Sequence, residues 1–108
     1  MQTFGIELEI IPAPGYENSF PTRVLNALRE AGINARSNHY SGSDYSVWQV
    51  KHDSSVYIDR GGRRHYGCEI VSPVMNEGQD AFDQIAKVCN ALTQNGAKVN
   101  RNCGMHVI

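Results

Sequence analysis

Glu7 and Glu9 stand two residues apart in the apolar run 4–10, Phe-Gly-Ile-Glu-Leu-Glu-Ile. In a strand that spacing puts both carboxylates on one face, opposite Ile6, Leu8 and Ile10. Glutamate is depleted in strands, so two of them here need a physical reason. Side chains at i and i+2 lie about 7 Å apart, where like charges repel by roughly 2 kcal/mol at an effective dielectric near 20 and by well under 1 in water. A wet sheet edge can carry that cost, and one bound divalent cation reverses its sign. Glu69 falls opposite Ile70 in the segment 66–72, and His106 can point away from the core in the segment 103–108. Three carboxylates and an imidazole can therefore meet on one sheet face. Hard oxygen donors with one imidazole suit Mg²⁺ or Mn²⁺ better than Zn²⁺. The plainer alternative is a set of solvated strand glutamates and a hydrogen-bonded structural histidine.

The elements that must position these groups follow from periodicity and breakers. Pro12, Pro14 and Gly15 end the first strand. A helix is predicted from about residues 19–21, with Val24, Leu25, Leu28 and Ala31 as its apolar stripe and Gly32 as its C-terminal cap. Residues 34–46 read as a polar loop, with a short strand near residues 33–36, and residues 46–51 as a further strand. Residues 55–58 and 65–72 read as hairpin arms with Gly61-Gly62 at the tip. A second helix is predicted from Phe82, Ile85, Ala86, Cys89 and Leu92, opened by an Asn76/Gln79 capping pair and ended by Gly96. Lys98-Val99 and residues 103–108 supply the last extended segments. The sum is an α+β fold: a largely antiparallel sheet of about five to six strands with two helices on one face.

A chain of 108 residues makes one domain. With 10 basic and 11 acidic residues its net charge is −1, so nothing global draws it to nucleic acid or a membrane surface. Three cysteines without a C-x-x-C pair argue against a disulfide scaffold and for a reducing compartment, the cytoplasm. The first strand leaves no room for a signal peptide, and no apolar run has membrane-spanning length.

Four islands stand in order: Phe4-Gly-Ile-Glu-Leu-Glu9, Trp48-Gln-Val-Lys-His-Asp53-Ser54-Ser55, Gly67-Cys-Glu69-Ile-Val-Ser72-Pro73, and Asn100-Arg-Asn-Cys103-Gly104-Met-His106-Val. The series resembles the amidoligase family, a branch of the glutamine synthetase and glutamate-cysteine ligase superfamily, over nearly the whole chain. The resemblance implies half of a ligase fold in which Mg-ATP phosphorylates a small-molecule or peptide carboxylate that an amine then attacks. By position, Glu7, Glu9 and Glu69 resemble the family's catalytic, metal and nucleotide-phosphate ligands, with His106 as a further metal ligand. Asp53 and Ser54 match an Asp-x-Ser-type motif placed near substrate, and Ser72 is assigned there too. Clustered metal ions suit this chemistry, because polyanionic ATP must be brought against a carboxylate.

The terminal motif carries only the first of its two histidines, since position 108 is Ile108. Family members are longer, so the chain is expected to hold about the first half of a site. A second hypothesis follows: a catalytically incomplete scaffold, with no cofactor, that binds a protein partner, for example as a phage-encoded inhibitor of host defence. A homodimer can also complete a site in trans. Arg60, Arg63 and Arg64 concentrate positive charge at the hairpin tip, fit to clamp phosphate or an acidic partner, or simply to form a solvated turn. The loop with His39, Tyr40, Asp44 and Tyr45 has the composition of an adaptable contact surface or an ordinary loop. Trp48, Cys89 and Cys103 are expected to be structural.

Overall fold

A computed structural model describes residues 2–38 and 46–99, and the backbone of 105–107. Its elements in chain order are β1 (Thr3–Phe4), β2 (Ile6–Pro12), α1 (Phe20–Glu30), β3 (Ala35–Asn38), β4 (Trp48–Arg60), β5 (Arg63–Val71), β6 (Met75–Asn76), α2 (Gln79–Gln94), β7 (Ala97–Lys98) and β8 (Met105–Val107). The fold is α+β, as the patterning predicts. The main sheet runs β3-β4-β5-β2-β7, with β8 also paired to β2. Every pairing is antiparallel except β3 with β4, which is parallel. β1 pairs with β6 in a separate two-stranded sheet, which the sequence pattern does not foretell.

The alternation in β2 works as expected. Ile6 and Ile10 join Val50, Cys68, Ile70 and Trp48 in one core, with Phe20, Val24 and Leu28 of α1 and Val88, Ala91 and Leu92 of α2 packed on it. Both helices therefore cover one face of the sheet. The indole N–H of Trp48 donates to the Gln84 side-chain oxygen, tying β4 to α2. Burial also sets the Cys68 thiol apart chemically, pushing its pKa up to about 12.

Several boundaries differ from the patterned reading, each for a local reason. The predicted strands at residues 46–51 and 55–58 are one strand, β4, interrupted by a bulge between His52 and Tyr57. Its hairpin with β5 turns through Gly61 and Gly62, at φ 61° and 75°, where the paired positive angles of a two-residue turn suit glycine. In α1 Phe20 and Ala27 are buried with Val24 and Leu28, whereas Leu25 and Ala31 are only half-buried. The buried side of α2 is Ala81, Val88, Ala91 and Leu92; Phe82 is 52% exposed, and Ala86 and Cys89 face outward. The buried side is thus rotated from the predicted stripe, and the Phe82 ring sits at the helix edge, 6.5 Å from that of Phe4. The capping pair is also replaced: Gly78 occupies the cap, and the Gln79 amide donates to Asp83 at 2.8 Å. Among the described residues no helix is long and apolar enough to cross a membrane.

Candidate functional site

The face of the sheet opposite the helices carries the carboxylates. Antiparallel register sets Glu9 directly opposite Glu69, and Glu69 opposite Lys51, so the row Glu9–Glu69–Lys51 crosses β2, β5 and β4. Asp53 lies two residues beyond Lys51, at the start of the bulge. The ligand oxygens of Glu9, Asp53 and Glu69 all lie within 4.8 Å of one another, and all three residues are half-buried.

The bulge has a clear steric origin. Residues 53–56 of β4 span the interval in which β5 offers only Gly67. A Cβ at position 67 would sit 1.8 Å from the Ile10 carbonyl oxygen and 3.0 Å from Val56 Cγ1. Only glycine lets β2 and the buried Val56 close over that point. Inside the bulge, the Ser55 N–H and hydroxyl both donate to Asp53 Oδ1, at 2.9 and 2.7 Å. One carboxylate oxygen is thereby fixed to the backbone turn.

The electrostatics report the crowding. The Glu69 carboxyl is raised above its ordinary 4.5, first by burial, then by the charges of Glu7 and Asp53; Lys51 opposes them, and Glu9 adds a smaller push. Glu7 thus acts on the cluster through its field, while its oxygens fall outside the 4.8 Å set. Position 106 is the register partner of Glu7 on β8. The His106 side chain lies outside the described residues, as do Cys103 and the loop residues His39, Tyr40, Asp44 and Tyr45.

Other expected site residues sit elsewhere. Ser72 is 2% exposed, its oxygen accepts the Ile6 N–H at 2.8 Å, and its hydroxyl donates to the Pro73 carbonyl at 2.8 Å. Both hydrogen-bonding roles are spent on holding β2 against the end of β5. Ser54 is exposed beside Asp53. The three arginines do not act as one clamp. Arg60 donates to Glu17 at 2.6 Å and to the Pro12 carbonyl at 3.2 Å, and this bond is the main reason that the Glu17 carboxyl is held low. Arg64 donates twice to Asp59, at 3.0 and 3.3 Å, and lies 3.9 Å over the Tyr57 ring. Arg63 is exposed at the turn.

Two residues escape the pattern reading. Asp53 reads as a substrate residue by motif, yet it stands among the carboxylates, because a four-residue bulge cannot be inferred from alternation. Lys51 escapes because its importance comes from register with Glu69, and register depends on strand order.

Three carboxylate donors fit a hard divalent cation by chemistry and by size. With bonds of about 2.1 Å around magnesium, neighbouring ligand oxygens stand about 3.0 Å apart and only opposite ones about 4.2 Å, so a set within 4.8 Å would close on the ion by side-chain movements of up to about 2 Å. No curated protein and no solved structure matches the chain. A family model described as "Putative amidoligase enzyme" matches residues 1–107, an extent that takes in all four islands. On that match the chain belongs to the amidoligase family.

Proposed function

We propose that this domain carries the metal-binding part of an ATP-dependent carboxylate-amine ligase site. The observation that carries the reading is the approach of Glu9, Asp53 and Glu69 to within 4.8 Å on the helix-free face. These three residues would hold Mg²⁺ or Mn²⁺, which when bound would neutralise and align the phosphates of ATP. In the overall reaction the γ-phosphoryl group passes to a substrate carboxylate, and an amine then displaces phosphate to leave the amide. Glu7 would add negative charge beside the cation, raising its affinity without a direct bond. The rigid β2–β5 ladder and the Ser55 turn keep the donors in place, so little ordering is left for the moment of binding.

Thermal unfolding with and without Mg-ATP tests the proposal. A ligand at ~100 times its dissociation constant stabilises by about 2.7 kcal/mol, a shift of several degrees at this size. The wild type should show that shift, and a Glu9→Gln/Glu69→Gln variant should not. An unshifted wild type, or an equal shift in the variant, contradicts it.

A second reading, a protein-binding module on the same scaffold, draws on the hairpin tip, where Arg63 and Arg64 are exposed and Tyr66 is 44% exposed. It predicts partner binding that Arg63→Glu abolishes while divalent-cation binding persists.

A further inference from the structure

We infer that Lys51 is a phosphate-contacting residue of this site, placed to bind a phosphoryl oxygen of a metal-complexed polyphosphate. The inference rests on the metal-binding reading above and assigns a residue that the carboxylate pattern leaves out. Lys51 is the register partner of Glu69, one strand spacing of about 4.8 Å away, and lies on the same face as Glu9 and Asp53. It is half-buried, and among the described residues its side chain has no hydrogen bond or ion pair within 4 Å. Its charge nevertheless reaches Glu69, where it opposes the carboxylates.

An ammonium in this position weakens a metal site. It repels a divalent cation in the same cluster, and removing it should tighten cation binding by about three- to tenfold. Its presence makes chemical sense when an anion is shared between the two positive charges. Among the described residues, the carboxylates of Glu7, Glu9 and Asp53 and the ammonium of Lys51 all act on Glu69 on this face. The carboxylates disfavour a polyphosphate; with a divalent cation bound, Lys51 would lower the remaining negative charge and supply N–H donors at its edge. Lysine binds phosphate as a point charge, so a flexible stem beside a fixed metal is an adequate geometry. A lysine that only balances the carboxylates would instead be needed most when no cation is bound.

The two roles separate in a calorimetric titration of the 108-residue chain with Mn²⁺ alone and then with Mn-tripolyphosphate. Lys51→Met should bind Mn²⁺ more tightly than the wild type and Mn-tripolyphosphate about ten- to a hundredfold more weakly. Lys51→Arg, which keeps the charge and the donors, should restore tripolyphosphate binding. Lys51→Gln serves as a second neutral variant if the methionine variant does not fold. Wild-type binding of both probes with unchanged tripolyphosphate affinity in the neutral variants overturns the Lys51 assignment and leaves the metal site standing. A wild type that binds no Mn²⁺ overturns both.

Discussion

Glu9 and Glu69 oppose one another as register partners on adjacent antiparallel strands, two carboxylates at a position where opposite charges would be favourable. Like charges directly opposite destabilise a sheet, so the pairing is a cost to the fold that a bound cation would convert to a gain. Glu69→Gln should therefore stabilise the metal-free protein by about 0.5–1 kcal/mol at neutral pH. Urea denaturation in the presence of a chelator measures it. Mg²⁺ should stabilise the wild type and not this variant; destabilisation in chelator would show that the pair is not under repulsion.

The titration of Glu69 follows from its surroundings. Burial and the neighbouring carboxylates hold its pKa above the ordinary 4.5. The folded chain then keeps a proton over a range in which the unfolded chain has lost it. Its contribution to stability is full below the ordinary value and is lost as pH rises through the raised one. NMR titration of glutamate carboxyl carbons in chelator should place the Glu69 midpoint above 4.5, and Lys51→Met should raise it further. A midpoint at or below the ordinary value contradicts the crowding.

The bulge depends on a missing side chain. Gly67→Ala would bring a methyl group to 1.8 Å from the Ile10 carbonyl oxygen, a contact with backbone that cannot swing aside. We expect a loss of about 1–3 kcal/mol, read from the denaturation midpoint. Cation affinity should fall as well, because Asp53 is carried by the displaced segment. A variant of wild-type stability would mean that β2 and β5 separate easily there.

Ser72 separates a structural role from a functional one. Ser72→Ala leaves the buried Ile6 N–H without its acceptor and should cost about 1–3 kcal/mol. Divalent-cation affinity of the folded variant should stay within twofold of the wild type. A large loss of affinity at unchanged stability would return Ser72 to the site.

Much of this arrangement was legible in the chain. Alternation in residues 4–10 was enough to put Glu7 and Glu9 opposite the core, and Gly61-Gly62 sufficed to mark the hairpin. What stayed hidden depends on contacts distant in sequence. The parallel pairing of β3 with β4, the meeting of Asp53 with Glu9 and Glu69, and the row ending in Lys51 all follow from strand order and from one bulge. The misplaced stripe of α2 has a different cause. A helical period fixes a spacing, but small residues such as Ala81 and Ala91 can win the buried side where two helices approach closely. Arg60 escaped because its partner Glu17 lies in an irregular segment that no periodicity describes.

The central claim is that one divalent cation sits among Glu9, Asp53 and Glu69, and paramagnetic broadening by Mn²⁺ tests it most directly. With substoichiometric Mn²⁺ added to the isotope-labelled protein, amide signals of residues 8–10, 52–55 and 68–70 should vanish first, while those of α1 and α2 persist. Excess Mg²⁺ should restore them, and Glu9→Gln/Glu69→Gln should abolish the effect. Uniform broadening, or broadening centred on any other surface, would contradict the account.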